Sequence, residues 1–250
     1  MFWWLSVDNF YVNSVKFISL IDYYKWNKTM AFRALCVRRY NLIIKRKNYF
    51  TNNYSIRELV NLDVLNCYQS EYAQYHLINL GFKRTMPLTD FINLSFLKEK
   101  VRYSKENTVL YNPKKGLKFT QKLIQSAPHI HWIPLENKNR DELSHLFKTS
   151  KIYIDFGHFP GKDRMPREAV ISDCCIITGI KGAARFYEDV SIPSKYKIEQ
   201  INKNIPIIIS LIESIFLNYE ESIKDFEIYR QMILSERGLF EQQVKNIFGI

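Results

Sequence analysis

Cationic side chains are concentrated in one short segment between two apolar runs. The segment reads "GHFPGKDRMPREA" and contains Lys162, Arg164 and Arg167. A helix is predicted to open at "PREAVISD", with Pro166 near its first turn. A helix start attracts anions through its free backbone N–H groups and its dipole. Because arginine can also hold two phosphate oxygens at once, these residues predict a phosphate-binding site.

A carboxylate follows directly after Arg167. Glu168 would repel a phosphate, but a carboxylate readily accepts hydrogen bonds from hydroxyl groups such as those of a ribose. Cations for phosphates together with a carboxylate for a sugar are what a nucleotide requires. The alternative is that these residues only cap and solvate the start of a helix, since charged residues near helix ends are common.

Two further segments contain residues that suit an anion. "NPKKG" contributes Lys114 and Lys115, and "GIKGAARFYED" contributes a glycine-rich turn at Gly182. Each segment follows an apolar run. The alternatives are solvated surface lysines and an ordinary turn or helix start. Taken with the first segment, they predict three anion-binding loops.

From residue 105 onward, short apolar runs alternate with segments of helical spacing. This β-α-β-α-β-α-β order predicts a parallel sheet covered by helices on both faces. In such sheets ligands bind beyond the carboxyl ends of the strands, where the strand order reverses, so we expect the three loops on one edge. The predicted strands are "NTVLYNP", "IHWIPLE", "KIYIDFG" and "CCIITG", the helices between them are "LKFTQKLIQSA", "NRDELSHLFKTS" and "PREAVISD", and the chain from Ile205 is predicted to be mostly helical.

The first hundred residues are less regular and predict a smaller α/β domain. Residues 10–60 are aromatic and basic and predict helices with loops, whereas Gly81 is placed to end a helix. The charged residues 95–106 are the best candidate linker. We therefore predict two domains, residues 1–100 and 101–250. The first would contain strand-like "FWWLSV" and "DVLNCYQS", helical "EYAQYHLINLGF", and a short strand and turn in "KRTMPLTDFI".

The chain is basic, with 36 Lys and Arg against 25 Asp and Glu and a net charge of +11. The excess is densest in residues 33–47. Basic surfaces attract nucleic acid, anionic lipid or phosphorylated substrates. Because the sequence has no helix-turn-helix, ribonucleoprotein or zinc pattern, we expect no nucleic-acid partner. We expect instead that the basic face of this segment contacts an anionic membrane surface, while most of its aromatic rings pack in the core.

The four cysteines have no metal-binding spacing, and we expect no metal. Adjacent Cys174 and Cys175 lie in an apolar run and are predicted to be buried. The N-terminal "MFWWLSVDNF" lacks the basic region of a signal peptide. The longest later apolar stretch is interrupted by Glu213 and is too short to span a bilayer. We expect a cytoplasmic protein that associates peripherally with the inner face of the cell membrane.

Residues 105–250 resemble the C-terminal, donor-binding domain of glycosyltransferases with two Rossmann-like domains, the GT-B fold. The resemblance is carried by "VLYNPKKG", "YIDFGHFPGKDRMPREAVISDCCIITG" and "GAARFYEDVSIP". It implies that Glu168 holds the ribose of a nucleotide-sugar donor. It also implies that the diphosphate is contacted by Lys114, Lys115, Arg164 and Arg167, to which we add Lys162 because it lies in the same segment. Gly182 and Ala183 would form a loop beside the donor.

Two features depart from this family. Many of its retaining members carry a glutamate eight residues before the ribose-binding one, where this chain has Pro160. The catalytic residue therefore stays unassigned, with His158 and Asp163 as candidates in that segment. In the N-terminal half, Asp8 is the candidate base for an inverting reaction, or else it begins a turn or caps a helix. That half is also shorter than a full acceptor domain and implies a minimal or truncated one.

The resemblance extends to bacterial glycosyltransferases of surface-polysaccharide synthesis, such as those of capsule or O-antigen loci. It predicts an enzyme that transfers a sugar from a nucleotide-sugar donor to a glycan or lipid-linked saccharide acceptor. Because lysine and arginine can neutralise the departing diphosphate, no metal or other cofactor is implied. The alternative is a non-catalytic or truncated remnant that binds nucleotide-sugar, or a partner subunit of a glycosyltransferase.

Overall fold

The computed structural model describes residues 1–13, 18–44, 55–93 and 103–250. The chain forms two compact units, Met1–Leu88 (unit 1) and Thr89–Ile250 (unit 2). This division falls before residue 100, where the sequence placed the domain boundary. Most of the expected linker, residues 95–106, lies outside the described residues.

Unit 1 is a three-stranded parallel sheet with helices packed against it. The strand order is β1-β2-β3. Gly81 ends the fifth helix in the left-handed conformation with φ 90°, as predicted. The elements are β1 Phe2–Trp4, α1 Val7–Asn13, α2 Leu20–Trp26, α3 Lys28–Ile43, α4 Ile56–Asn61, β2 Asn66–Tyr68, α5 Glu71–Leu80 and β3 Thr85–Pro87.

Aromatic rings fill the core of unit 1. Tyr11 stacks on Trp26, with ring centroids 4.2 Å apart, and the Tyr11 hydroxyl lies 3.0 Å from Nε2 of His76. Burial lowers the pKa of His76 to about 4, although Asp8 acts in the opposite direction. His76 is therefore held as a neutral ring inside the unit.

Unit 2 contains a four-stranded parallel sheet. The four strands predicted from the sequence are present, and so are the helices between them. Pro166 stands in the first turn of its helix, which begins two residues earlier, at Arg164. The elements are β4 Glu106–Tyr111, α6 Leu117–Ser126, β5 His131–Pro134, α7 Arg140–Thr149, β6 Ser150–Asp155, α8 Arg164–Ile171, β7 Cys175–Thr178, α9 Ile205–Leu217, α10 Tyr219–Ser222 and α11 Glu227–Phe248.

The strand order in this sheet is β5-β4-β6-β7, and each neighbouring pair is parallel. The central strands are buried on both faces, which agrees with their continuous apolar runs. Because β5 lies on one side of β4 and β6 on the other, the strand order reverses between β4 and β6. The carboxyl ends of these two strands therefore form the switch point at which such sheets bind ligands.

Residues 89–91 belong to unit 2 through contacts with its last helix. The backbone N–H of Thr89 donates to Oε1 of Gln243 at 2.7 Å. The rings of Phe91 and Phe240 meet at a centroid distance of 5.3 Å. These contacts explain why the chain joins unit 2 already at Thr89.

Candidate functional site

Two loops meet at the switch point with their backbones in close contact. Gly116, with φ 64°, lies so close that a Cβ atom there would be 2.6 Å from the carbonyl of Phe156. A Cβ atom on Gly157 would be 2.4 Å from Cβ of Lys115. Real Cβ contacts are never that short, so both positions require glycine. The loop after β4 and the loop after β6 are thereby held together at one edge of the sheet.

The loop after β7 joins the same edge. Phe159 donates its backbone N–H to the carbonyl of Lys181 at 3.2 Å, and its carbonyl accepts from Ala183 at 2.8 Å. Gly182, between them, has φ 65° and leaves no room for a side chain against the Phe159 carbonyl. The three loops that the sequence analysis singled out are therefore adjacent.

The two lysines of the loop after β4 are placed differently. Nζ of Lys115 lies 2.5 Å from Oδ2 of Asp163 and 5.6 Å from the centre of the Phe159 ring. Lys114 is exposed, and only its backbone N–H is fixed, by a 3.0 Å hydrogen bond to Oδ1 of Asn112. Lys115 is thus the cation at the centre of the switch point, and Lys114 lies at its rim.

Glu168 is a buried carboxylate with an exposed cation beside it. Its side chain is 3% exposed, whereas that of Arg164 is 63% exposed, and the two approach to 3.4 Å one helical turn apart. Burial raises the pKa of Glu168, while Arg164, Arg140 and Arg167 lower it. The start of α8 therefore presents an exposed guanidinium beside a buried carboxylate.

Arg167 points away from this pair into a buried acidic cluster. It is 1% exposed, and each of its five N–H groups donates to the protein. It pairs through two nitrogens with Asp90, at 2.9 and 3.0 Å, and bonds Glu236 at 2.8 Å. The remaining two donors reach the carbonyls of Lys162 and Asp163, at 3.0 and 3.3 Å. Arg167 thus has no donor left for a diphosphate, contrary to the sequence-based expectation.

Lys162 is directed toward the same cluster. Its Nζ donates to Oγ1 of Thr89 at 3.1 Å and lies 3.7 Å from Oε1 of Glu236. The five charged residues of "GKDRMPREA" are therefore divided. Arg164 and Glu168 are at the helix start, Lys162 and Arg167 are in the buried cluster, and Asp163 pairs with Lys115. No local pattern could reveal this, because Asp90 and Glu236 lie far away in the sequence.

One residue of the site was missed by the sequence analysis. Asp155, the last residue of β6, is 2% exposed and accepts hydrogen bonds from the Tyr153 hydroxyl at 2.9 Å and the Gly157 backbone at 2.8 Å. Burial raises the pKa of Asp155 to about 6, and the Gly157 N–H and Lys115 lower it in part. An acid at the end of an otherwise apolar strand, in "YIDFG", was the available signal.

The three candidate catalytic residues fall in different surroundings. His158 is exposed and follows β6, in the same loop as Asp163. Asp8 is in the first turn of α1 in unit 1. It does not begin that helix, because the Ser6 hydroxyl accepts the hydrogen bond from Asn9. Within the described residues, no three His, Cys, Asp or Glu side chains are grouped as metal ligands would be.

Comparisons with known proteins agree with this architecture. No protein-family model matches the sequence, and no curated protein matches it. HepE (Alr3699) of Anabaena, solved in complex with UDP-glucose, matches over 78% of this chain and 66% of its own, with a TM-score of 0.54 and 9% identity. The catalytic domain of starch synthase IV from Arabidopsis thaliana, bound to ADP and acarbose, matches over 76% and 58%, with a TM-score of 0.50 and 12% identity.

The fold is that of the GT-B glycosyltransferases. The fold class that the sequence predicted, Rossmann-like with parallel sheets, is confirmed. The chain spans less than two thirds of either neighbour's length. At 9% and 12% identity, these likenesses concern the fold, and the chemistry of this chain depends on its own residues.

Proposed function

We propose that this protein is a glycosyltransferase that transfers a sugar from a nucleotide-sugar to a hydroxyl group of a glycan or lipid-linked acceptor in surface-polysaccharide synthesis. The observation that carries the proposal is the position of Lys115 and the start of α8 at the switch point between β4 and β6. That both solved neighbours contain a nucleotide or nucleotide-sugar supports a donor of this class.

The proposed donor site uses cations for the diphosphate and a carboxylate for the ribose. Lys115, Lys114 and Arg164 would bind the phosphate oxygens, helped by the N–H groups at the start of α8. Glu168 would accept hydrogen bonds from the ribose hydroxyls. Gly182 and Ala183 would border the donor through their backbone, since the Ala183 side chain is buried.

Catalysis would come mainly from charge. As the bond to the sugar breaks, negative charge develops on the departing nucleotide diphosphate, and preorganised cations stabilise it. Lys115 is the best placed of them, because the loops after β4, β6 and β7 fix its surroundings. The proposal needs no metal or other cofactor.

Nucleotide titration tests the donor site. Calorimetry with UDP, GDP and ADP should give one preferred nucleotide. Lys115→Met and Glu168→Gln should each weaken its binding by about ten- to a hundredfold, as expected for a lost charge-assisted hydrogen bond. Lys118→Met, which removes an exposed lysine of α6, is the matched control and should bind normally. A folded wild-type protein that binds none of the three nucleotides would exclude this function.

A second candidate is a protein that binds nucleotide-sugar without turnover. Pro160, at the position where many retaining glycosyltransferases have a glutamate, favours it. With the preferred nucleotide known, release of that nucleotide from matching nucleotide-sugars can be followed with and without acceptor. In this case the protein would bind the nucleotide-sugar tightly but would not release the nucleotide from it. Nucleotide release would appear only when a partner glycosyltransferase is added.

We also propose that α3 contacts an anionic membrane surface. The helix exposes large apolar side chains beside exposed arginines, Arg33 and Arg39. Such a mixture suits the headgroup region, where apolar groups insert and each cation contributes about 1 kcal/mol. The exposed apolar residues are Phe32, Val37, Tyr40 and Ile43. Residues 45–47 of the predicted basic segment lie outside the described residues. No described helix is long and apolar enough to cross a membrane.

Vesicle sedimentation tests this surface. The protein should pellet with vesicles containing phosphatidylglycerol and much less with pure phosphatidylcholine. Arg33→Gln/Arg39→Gln should reduce the pelleted fraction on the anionic vesicles, whereas Arg84→Gln, an exposed arginine near β3, should not. Equal pelleting of all three proteins would contradict the assignment to α3.

A further inference from the structure

Asp163 places a negative charge inside the proposed diphosphate site. Its Oδ2 lies 2.5 Å from Nζ of Lys115, and the two side chains are only 19% and 31% exposed. Burial raises the pKa of Asp163, and the charge of Lys115 lowers it. In the absence of a donor, the central cation of the site is therefore already paired with an anion.

The position of Asp163 in the chain makes this pairing unusual. Asp163 is the N-cap residue of α8. An aspartate at such a position usually accepts a hydrogen bond from a backbone N–H group of the first turn. Here the carboxylate makes no cap hydrogen bond with α8, all of which the structure describes. Of the two residues whose N–H groups an N-cap side chain usually reaches, Met165 has one and Pro166 has none. The carboxylate is turned to Lys115 instead, and the usual acceptor position at the helix start is left to another group.

Lys115 is held in place by more than its pairing with Asp163. Its Cβ is packed against Gly157, and its ammonium lies over the Phe159 ring. Phe159 is fixed in turn by backbone hydrogen bonds to residues 181 and 183. Removal of the Asp163 charge should therefore leave Lys115 near its present position.

We propose that Asp163 is an internal counter-ion of the donor site, which neutralises Lys115 in the free protein and is displaced from it by the donor diphosphate. This inference rests on the function proposed above. A carboxylate and a diphosphate repel each other strongly at the distance of a shared ammonium group. We infer that the carboxylate then turns to the backbone N–H of Met165, the cap donor that α8 offers because Pro166 at the next position has none.

The role differs from that of a catalytic acid or base. Asp163 would set how tightly the nucleotide diphosphate is held, and its return to Lys115 would favour release of the product nucleotide. Product release limits turnover in many enzymes, so a competing internal anion is a direct way to speed it. Asp163 is in this sense a residue that tunes affinity through Lys115.

The test compares variants that remove the charge of Asp163. Asp163→Asn keeps its size, and Asp163→Ser keeps its ability to cap α8. Both should bind inorganic pyrophosphate, and the preferred nucleotide diphosphate, about tenfold more tightly than the wild type in calorimetry. Stopped-flow measurements should show slower nucleotide dissociation. The control is Asp63→Asn, which removes the same charge from the 2.6 Å ion pair with Arg84 in unit 1 and should change neither quantity.

The sign of the change decides the question. A merely structural role of Asp163 would make both variants bind more weakly. Equal or weaker binding by Asp163→Asn and Asp163→Ser, with the wild type still binding, would overturn the inference while leaving the donor site intact. If neither the wild type nor the variants bind pyrophosphate or any nucleotide, the proposed function and this inference fall together.

Discussion

One substitution at the buried Arg167 can show whether its side chain binds the donor diphosphate or stabilises unit 2. The sequence suggested a diphosphate ligand, whereas the structure has all five N–H groups donating to the protein. Arg167→Met fills similar space but removes those donors. It would leave the carboxylates of Asp90 and Glu236, which are 28% and 6% exposed, without their main counter-charge.

Breaking a buried ion pair by removing one partner costs about 3–5 kcal/mol. We expect the lower end, about 3 kcal/mol, for two reasons. Asp90 is exposed enough to gain hydration, and Lys162 remains 3.7 Å from Glu236. The free energy of unfolding of unit 2 can be obtained from hydrogen exchange of β6 and β7 at increasing urea concentration. Arg167→Met/Glu236→Gln should recover part of the loss, because it removes a buried charge on each side.

Stability and nucleotide binding of Arg167→Met together distinguish a buried structural arginine from a donor ligand. If Arg167→Met lowers the stability of unit 2 by less than about 1 kcal/mol and abolishes nucleotide binding, Arg167 is a donor ligand and its buried pairing is incidental. If stability falls as expected while the residual folded protein binds nucleotide normally, Arg167 acts by holding α8 to α11.

Three further predictions concern glycine and titrating residues. Gly157→Ala should weaken nucleotide binding at least about tenfold, because its Cβ would lie 2.4 Å from Cβ of Lys115. Gly238→Ala, at a position that faces open space, should bind the nucleotide as the wild type does. Equal nucleotide affinity of the two variants would contradict this prediction. Because burial raises the pKa of Asp155 to about 6, its folded state binds a proton more tightly than the unfolded state. The wild type should therefore gain about 2 kcal/mol of stability relative to Asp155→Asn as the pH falls from 7 to 4, and a constant difference in urea unfolding would disprove this. Because burial lowers the pKa of His76 to about 4, the folded state binds a proton less tightly than the unfolded state. The free energy of unfolding should therefore fall by about 3 kcal/mol between pH 7 and pH 4, and His76→Gln should abolish this loss in the same assay.

The strands and helices of unit 2 were predictable because their patterns are local. Apolar runs of strand length alternate with helical spacing. At the start of α7 the Asn139 side chain accepts from the Glu142 backbone at 2.9 Å, and asparagine is a common residue at a helix start. Cys174 and Cys175 are buried and form no disulfide, in keeping with their apolar surroundings. The convergence of three loops followed from the rule that parallel strands end at one edge.

The direction of each charged side chain was not predictable. Arg164 and Arg167 are the same residue type in the same helical turn, yet one is exposed and the other is buried between two carboxylates. Their difference depends on Asp90 and Glu236, which only the folded chain brings near α8. The pairing of Asp163 with Lys115, instead of with α8, likewise required the contact between two loops.

The hydrogen bond from Thr89 to Gln243 joins residues that are 154 positions apart in the sequence. At the roughly 5–20 residues per second of protein synthesis, Gln243 is made on the order of 8–30 s after Thr89. During that interval the sheet and α8 can already be complete, but Arg167 has only Asp90 as an acidic partner. We therefore expect the segment that carries Arg164 and Glu168 to reach its final geometry late on the ribosome, when α11 arrives. Ribosome-bound chains that stop before Glu236 should leave α8 open to protease.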